Sequence, residues 1–186
     1  MIRILLYLLS IVTANVVTAA FLPLQLGVFI IPMGTLFIGG TFIFRDLVQN
    51  KFGRAKTYLC IIMALILSAG VSFLLGDTLL IVFASALSFV VAETADTEIY
   101  TRLKLPLSWR VFYSGVVGGF FDSAIFVVIG LSPLGANILP WEAVPAAIFG
   151  QIIVKTIIQS IGAVLLGKIH VRLEKRLSTG GNALDG

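Results

Sequence analysis

The sequence predicts an all-α integral membrane protein with about six transmembrane helices around a central polar cavity. Hydrophobic residues make up 59% of the 186 residues and charged residues only 12%, and the mean hydropathy is +1.08. A soluble domain of this length needs far more polar surface. Residues 4–44 contain no charged side chain, which is roughly twice the length that one helix needs to cross a ~30 Å hydrocarbon core. This segment therefore contains two spans.

Six apolar runs set the positions of the expected helices. Pro23 favours a break between the first two runs, Gly76 and Asp77 close the third, and a loop with proline and glycine precedes the sixth. The expected spans are about Ile2–Phe21, Gly27–Phe44, Thr57–Leu75, Leu79–Leu103, Trp109–Gly130 and Ala143–Ile169. Residues 1–177 thus form one six-helix transmembrane domain, and we expect residues 178–186 to be a disordered cytoplasmic tail.

Lysine and arginine placement predicts the orientation of the chain. With six spans, all but one of the 13 Lys and Arg residues fall on one side, so the positive-inside rule makes both termini cytoplasmic and the protein a multi-pass component of the inner or plasma membrane. These residues form no basic groove interleaved with aromatics, which argues against nucleic-acid binding. An alternative for the first run is a cleaved signal peptide, which would leave five spans.

Ionisable residues inside apolar runs are the strongest functional signal. Asp122 and Lys155 lie deep in spans five and six, where each costs about 2.5–3.5 kcal/mol unless it is paired or hydrated. Residues three or four apart share a helix face, and this spacing predicts polar faces on spans four, five and six. Their members are Glu93, Asp96, Thr97 and Tyr100; Gly115, Gly118, Gly119 and Asp122; and Gln151, Lys155 and Gln159. The three faces point to one cavity, which Asn15 of span one faces as well.

Each of these residues also has a structural interpretation. In this interpretation, Lys155 pairs with Asp122 or Glu93 only to hold helices together, and the pair is not part of a binding site. Arg45 and Asp46 stand at the end of the expected second span. That position is compatible with two roles, anchoring at the membrane interface and a cytoplasmic gate. Glu98 and Arg102 suit an i,i+4 ion pair at the membrane boundary. Ser10, Ala14 and Thr18 form a face of small residues that suits helix packing.

Catalytic and cofactor motifs find little support in the sequence. A single cysteine and a single histidine, without a carboxylate cluster, predict no metal site. No Ser or Cys has a plausible base by local motif, and no Walker-type Gly-Lys-Ser/Thr sequence is present. We therefore expect no enzyme activity, no cofactor and no ATPase, so that a gradient, a partner or trapping of the substrate supplies the energy.

Four blocks, in order along the chain, resemble the queuosine precursor transporter family, also described as vitamin-uptake-like membrane proteins. The blocks are FRDLVQNKFG (44–53), AETADTEIYTRL (92–103), GGFFDSAIF (118–126) and Lys155, with Asp96, Ile99, Tyr100, Arg102, Leu103 and Asp122 among the matching positions. Together with six spans they cover most of the chain. Two residues depart from the family pattern: Asn50 replaces a common acidic residue and Glu93 an expected Gln, and the second departure bears on substrate preference.

The resemblance implies import of a 7-deazaguanine, such as the 7-cyano or 7-aminomethyl form, that is used for tRNA modification. A guanine-like edge offers two adjacent N–H donors to a carboxylate and a carbonyl that accepts from Lys155 or Gln151. The residues expected to bind substrate are Asn15, Glu93, Asp96, Tyr100, Phe121, Asp122, Gln151 and Lys155; those expected at a gate or interface are Arg45, Asp46 and Arg102. Phe120, Phe121 and Tyr100 are the candidates for stacking.

Three other readings stay open. The chain is alternatively the substrate-binding subunit of a partner-dependent, ECF-type vitamin importer, which the small-residue face of span one fits equally well. An intramembrane enzyme would use Asp122, Asp96 and Glu93 as acid and base. A purely structural membrane protein would tolerate neutralisation of Asp122 or Lys155. The expected partners are the lipid bilayer and a purine-like small molecule, together with a second copy of the chain or importer subunits.

Overall fold

The computed structural model describes residues 1–27 and 29–181, with side chains as far as Lys168. This part of the chain folds into six α-helices, a π-helical segment and a short antiparallel hairpin. The elements are α1 (Ile2–Ala20), β1 (Leu24–Leu26), β2 (Phe29–Ile31), α2 (Thr35–Phe52), α3 (Arg54–Leu74), α4 (Leu79–Arg102), α5 (Leu107–Ile125), the π segment (Phe126–Leu131) and α6 (Val144–Gly181).

Five of these helices are long and apolar enough to cross a membrane, namely α1, α3, α4, α5 with the π segment, and α6. The sixth, α2, carries Arg45, Asp46 and Lys51 within 18 residues. It packs against each of the other five helices, so Arg45 and Asp46 meet protein rather than lipid, whereas Lys51 is exposed near the end of the helix. The chain is therefore an all-α, multi-pass membrane protein, and the predicted fold class is confirmed.

The bundle has two distinct ends. Successive helices run in opposite directions, which brings the hairpin, the α3–α4 connection at 75–78 and the α5–α6 connection at 132–143 to one end, here named the hairpin end. The start of α1, the α2–α3 turn at Gly53 and the α4–α5 connection at 103–106 lie at the other, the Gly53 end. Gly53 has a φ of +80°, which lets the chain reverse between two helices within one residue.

The second span begins later than the sequence suggested, so the expected start at Gly27 is wrong. Residues 24–31 form the hairpin, with Leu24 opposite Ile31 and Leu26 opposite Phe29. Gly27 adopts a φ of +62° in its turn, a conformation that favours glycine. Pro32 then follows β2, and α2 begins at Thr35. The shift places Arg45 and Asp46 inside the helix, not at its end.

The fifth span also departs from a regular helix. Its last turns, from Phe126 to Leu131, are π-helical, and the Ser132 hydroxyl closes the segment by donating to the Val128 carbonyl oxygen at 2.5 Å. Such segments are frequent at functional sites because they redirect side chains. At the chain end, α6 continues to Gly181 and so includes residues 178–181 of the expected tail, whose remainder, 182–186, lies outside the described residues.

The first helix is an integral part of the core. Tyr7 and Ile11 pack with Val48 of α2 and with Cys60 and Ala64 of α3 in one buried apolar cluster. The small-residue face of α1 is used in the same way: Ala14 and Thr18 lie directly against Gly34, where an added Cβ would collide with both. Helix packing therefore accounts for this face.

Candidate functional site

A cavity of about 260 Å³ lies at the hairpin end of the bundle. Its volume is slightly below the usual range for sites that bind drug-sized ligands, which suits a small molecule. All six helices contribute to its walls. The polar residues that line it are Asn15, Thr18, Thr35, Ser72, Asp77, Ser85, Ser88, Asp122 and Gln151.

The charge of this cavity restricts what it can hold. Asp77 and Asp122 are the charged residues among those that line it, and its walls contain no Lys or Arg. A free anion would meet these two carboxylates directly, and Lys155, which lies behind Asp122, is already paired with it. The cavity therefore suits a neutral or cationic ligand that carries N–H donors.

A second, smaller cavity of about 40 Å³ continues from the first toward the middle of the bundle. The two share Asn15, Ile38, Ser85 and Asp122 on their walls. Glu93 lines only the smaller one. The volume is enough for one or a few water molecules, so a space that can hold water lies between the large cavity and Glu93.

Lys155 holds Asp122 at the boundary between these cavities. Its ammonium group, in a side chain that is 2% exposed, donates to Asp122 Oδ2 at 2.6 Å, to Ser123 Oγ at 2.7 Å and to Gln151 Oε1 at 3.4 Å. The other carboxylate oxygen, Asp122 Oδ1, accepts from the Ser88 hydroxyl at 3.0 Å. All three N–H donors of the lysine are therefore used, and the carboxylate is fixed with lone pairs left toward the cavity.

Arg45 organises a second buried polar cluster, closer to the Gly53 end. Its guanidinium group lies 3.1 Å from Asp46 Oδ1 and 3.3 Å from Glu93 Oε2, and it also pairs with Asp96. It donates to Gln49 Oε1 at 3.1 Å and to Thr97 Oγ1 at 3.0 Å. We call these residues the Arg45 cluster: Arg45, Asp46, Gln49, Glu93, Asp96 and Thr97. A planar fork of five N–H donors is what allows one side chain to contact so many acceptors.

The glycines of α5 make close helix packing possible. Gly115 faces the Gln159 side chain, Gly118 faces Asp96, and Gly119 faces Lys155. A larger side chain at Gly115 would collide with Gln159, whose Nε2 donates to the Val111 carbonyl oxygen at 2.7 Å. The sequence predicted that this glycine face of α5 lies close to another helix or to a ligand. In the structure it lies close to side chains of α4 and α6.

Most of the expected binding residues come together. Asn15, Asp122 and Gln151 line the large cavity, and Glu93 lines the small one. Lys155 lies directly behind Asp122. The remaining polar residue from α4, Asp96, belongs to the Arg45 cluster and lines neither cavity.

Three expected site residues lie elsewhere. Phe121 is 37% exposed and packs against Phe120 with ring centroids 5.6 Å apart, on the outside of α5. Tyr100 is buried at the Gly53 end, where Arg110 lies over its ring at 4.0 Å. Arg102 is exposed and contacts Glu98 Oε2 at 3.4 Å, as expected for an i,i+4 pair. None of the three lines either cavity.

Arg45 and Asp46 require a correction of position. The sequence placed them at the end of span two, yet both are fully buried in the middle of the bundle. The cause is the late start of α2, which moves them about two turns inward. Interface anchoring is therefore excluded for both residues.

Sequence reasoning missed several cavity and cluster residues. Ser85 and Ser88 follow the helical spacing that leads to Asp96, so the same face of α4 already contained them. Gln49 lies four residues after Arg45 and was predictable in the same way. Asp77 and Phe126 were not, because one lies in a connection and the other in the π segment, where helical spacing gives no guide.

Comparison with known proteins adds the family. The family model described as "putative vitamin uptake transporter" matches residues 69–168, a segment that contains α4, α5 and all the ionisable residues of the Lys155 site. No curated protein and no solved structure gives a match. Since the matched segment is more than half of the chain, this protein belongs to the vitamin uptake transporter family.

Proposed function

We propose that this protein imports a queuosine precursor, 7-cyano- or 7-aminomethyl-7-deazaguanine, through the two connected cavities and without an ATPase of its own. The family supports uptake of a small organic molecule. The four blocks that resemble queuosine precursor transporters support the choice of substrate. The substrate is delivered unchanged, so no catalytic residue is required.

The observation that carries the proposal is the arrangement of Asp122 and Gln151 on the cavity wall. Gln151 turns its oxygen toward the Lys155 ammonium, so its amide NH₂ points elsewhere, and Nε2 has no hydrogen-bond partner among the described residues. A buried donor without a partner costs free energy that a ligand acceptor can recover. An anionic acceptor and an unused donor therefore stand side by side.

A guanine-like edge matches this pair. Its ring N–H and exocyclic NH₂ are adjacent donors that one carboxylate can accept together, and its carbonyl oxygen is an acceptor for Gln151. Asp122 retains lone pairs for this purpose because Lys155 and Ser88 use only one on each oxygen. The cavity excludes anions but admits both the neutral 7-cyano base and the cationic 7-aminomethyl base.

Aromatic contacts for the base come from different residues than the sequence suggested. Phe126 lines the large cavity, and Phe42 and Phe89 line the small one. We propose Phe126 as the stacking partner, because the π segment turns it toward the same space as Asp122. Phe121 and Phe120, on the outer surface, are not part of this site.

The proposed orientation follows from the basic residues. The hairpin end, with the large cavity, faces away from the cytoplasm, and the Gly53 end faces the cytoplasm. In this arrangement the cavity receives substrate from outside, and the Arg45 cluster lies between the cavity and the cytoplasm.

The alternative is a substrate-binding subunit of a partner-dependent importer. The observation that favours it is an exposed groove between α5 and α6, formed by Ser108, Trp109, Phe112, Ser160, Ala163 and Val164, where another membrane helix could pack closely. Against it, most of the small-residue face of α1 is already used within the chain. Uptake by the isolated chain separates the two.

The test is complementation in cells that neither make nor import 7-deazaguanines. The chain is expressed alone, the free base is supplied at low concentration, and queuosine in tRNA is measured. We expect the native chain to restore queuosine, and Asp122→Asn and Lys155→Met to abolish it. The matched controls are Glu142→Gln and Lys104→Met, which remove the same charges from exposed positions. Restoration by a well-inserted Asp122→Asn variant would exclude the proposed site.

A further inference from the structure

The Arg45 cluster contains an excess of buried negative charge. Asp46, Glu93 and Asp96 are each at most 1% exposed, and all three pair with the single guanidinium of Arg45. If all were ionised, three negative charges would face one positive charge in the protein interior. Desolvated charge without compensation is strongly unfavourable, so the cluster must take up positive charge from elsewhere.

Among the described side chains, as far as Lys168, no Lys or Arg other than Arg45 forms an ion pair with these three carboxylates. Lys155 of α6 is already paired with Asp122 of α5 at 2.6 Å. Arg110 of α5 donates to the Tyr100 carbonyl oxygen at 3.1 Å and stacks on its ring, which places it at the Gly53 end. On α3, Cys60 is a buried thiol in the apolar cluster with Tyr7 and supplies no positive charge.

Tyr7 of α1 places a hydroxyl group beside Glu93. This side chain is fully buried, and its hydroxyl lies close to the Glu93 carboxyl group. A hydroxyl can donate to an ionised carboxylate and accept from a protonated one. It therefore suits a neighbour that exists in both forms.

The cluster also lies between two water-accessible regions. Glu93 lines the small cavity, which continues into the large one at the hairpin end. On the other side, Gln49 accepts from Arg45 and donates to the Thr101 hydroxyl at 2.8 Å. Thr101 is exposed at the Gly53 end. A polar chain thus connects Glu93 with both ends of the bundle.

We propose that Glu93 is a proton-binding site and that import of the base is coupled to inward movement of a proton through the Arg45 cluster. A proton passes from water in the small cavity to the Glu93 carboxylate, moves to a second carboxylate of the cluster, Asp96 or Asp46, while Arg45 stays protonated, and is released to water at the Gly53 end. No bond of the substrate changes. A metal cation fits less well, because the guanidinium occupies the space between the carboxylates. Within the described residues, no group of three or more His, Cys, Asp or Glu side chains is arranged to hold a metal ion.

The site can be tested without substrate. Infrared spectroscopy of the purified chain at neutral pH reports protonated carboxyl groups through their C=O stretching band. We expect this band in the native chain and in Glu142→Gln, and its loss in Glu93→Gln. Tyr7→Phe, which removes only the facing hydroxyl, should change the pH range over which the band disappears. Absence of the band from the native chain, or a band unaffected by Glu93→Gln, would overturn the proton site.

Coupling rests on the proposed function and is tested separately in liposomes that contain a pH-sensitive dye. Addition of the neutral 7-cyano base to the outside should acidify the lumen as the base enters. An inward gradient of one pH unit should raise the ratio of inside to outside base at steady state about tenfold, because one proton moving down that gradient supplies about 1.4 kcal/mol. Base entry without acidification, or entry driven by sodium at constant pH, would overturn the coupling. If no base enters while the infrared band behaves as expected, the proposed substrate is wrong and the proton site stands.

Discussion

Removing the two halves of the Lys155–Asp122 pair should have unequal effects on stability. Asp122→Asn leaves the 2%-exposed ammonium of Lys155 with only neutral acceptors, Ser123 and Gln151. Loss of one partner from a buried ion pair costs about 3–5 kcal/mol. Lys155→Met leaves Asp122 bonded to Ser88 and 12% exposed on the cavity wall, where water can hydrate it, so we expect a smaller loss of about 1–3 kcal/mol.

The double variant Asp122→Asn/Lys155→Met removes both charges together. Replacement of a whole buried pair by neutral side chains of similar size is often nearly neutral, so the free energy of unfolding should lie within about 1 kcal/mol of the native value. The two single losses therefore should not add, and the coupling free energy is at least about 3 kcal/mol.

The assay is reversible unfolding by SDS in mixed micelles, followed by circular dichroism, for the native chain, both single variants and the double variant. Lys104→Met is the control, because it removes an exposed lysine and should change the free energy by no more than about 0.5 kcal/mol. Additive losses in the double variant would refute the pairing argument. The double variant should be folded yet inactive in base import; normal import by it would support a purely structural role.

Three further predictions concern the cavity, the packing and the orientation. Gln151→Leu removes the unused amide donor, so KM for the base should rise about tenfold, equivalent to one hydrogen bond of ~1.4 kcal/mol. It also removes the Oε1 acceptor that Lys155 contacts at 3.4 Å, so the free energy of unfolding should fall by about 1 kcal/mol. An unchanged KM contradicts the proposed contact. Gly115→Ala should destabilise the chain, because the added Cβ collides with the Gln159 side chain of α6. Gly40→Ala has nothing near the added Cβ and should stabilise the chain by up to about 1 kcal/mol. Equal effects of the two substitutions on SDS unfolding would refute this. In a chain without its native cysteine, an impermeant maleimide applied outside cells should label Glu142→Cys but not Lys104→Cys, and the reverse pattern would invert the proposed orientation.

The helix order was predictable because the apolar runs are long and end at glycine, proline or charge. Five of the six helices begin within three residues of the expected position, and two of these, α1 and α4, begin at it. Helix α2 begins later than expected, because residues 24–31 are as apolar as a helix but form a hairpin. The second strand of that hairpin packs against α6. Hydropathy alone does not distinguish a buried strand from a short stretch of helix.

The candidate site was predictable where it follows helical spacing. Asp122, Gln151 and Lys155 share the cavity region as expected, because each lies on the polar face of its helix. Phe121 shows the limit: it is adjacent to Asp122 in sequence and therefore about 100° away around α5, on the outer surface. The sequence did predict the shared face of Glu93, Asp96 and Thr97 on α4. Their pairing with Arg45 was not predictable, since it depends on the register of α2.

The most direct test of base import through this cavity is counterflow in liposomes that contain only the purified chain. The liposomes are loaded with unlabelled 7-cyano-7-deazaguanine, and entry of the labelled base is measured over time. We predict saturable accumulation with the native chain and with Glu142→Gln, and none with the folded double variant Asp122→Asn/Lys155→Met. A folded, correctly reconstituted native chain that accumulates no labelled base would contradict the proposed function.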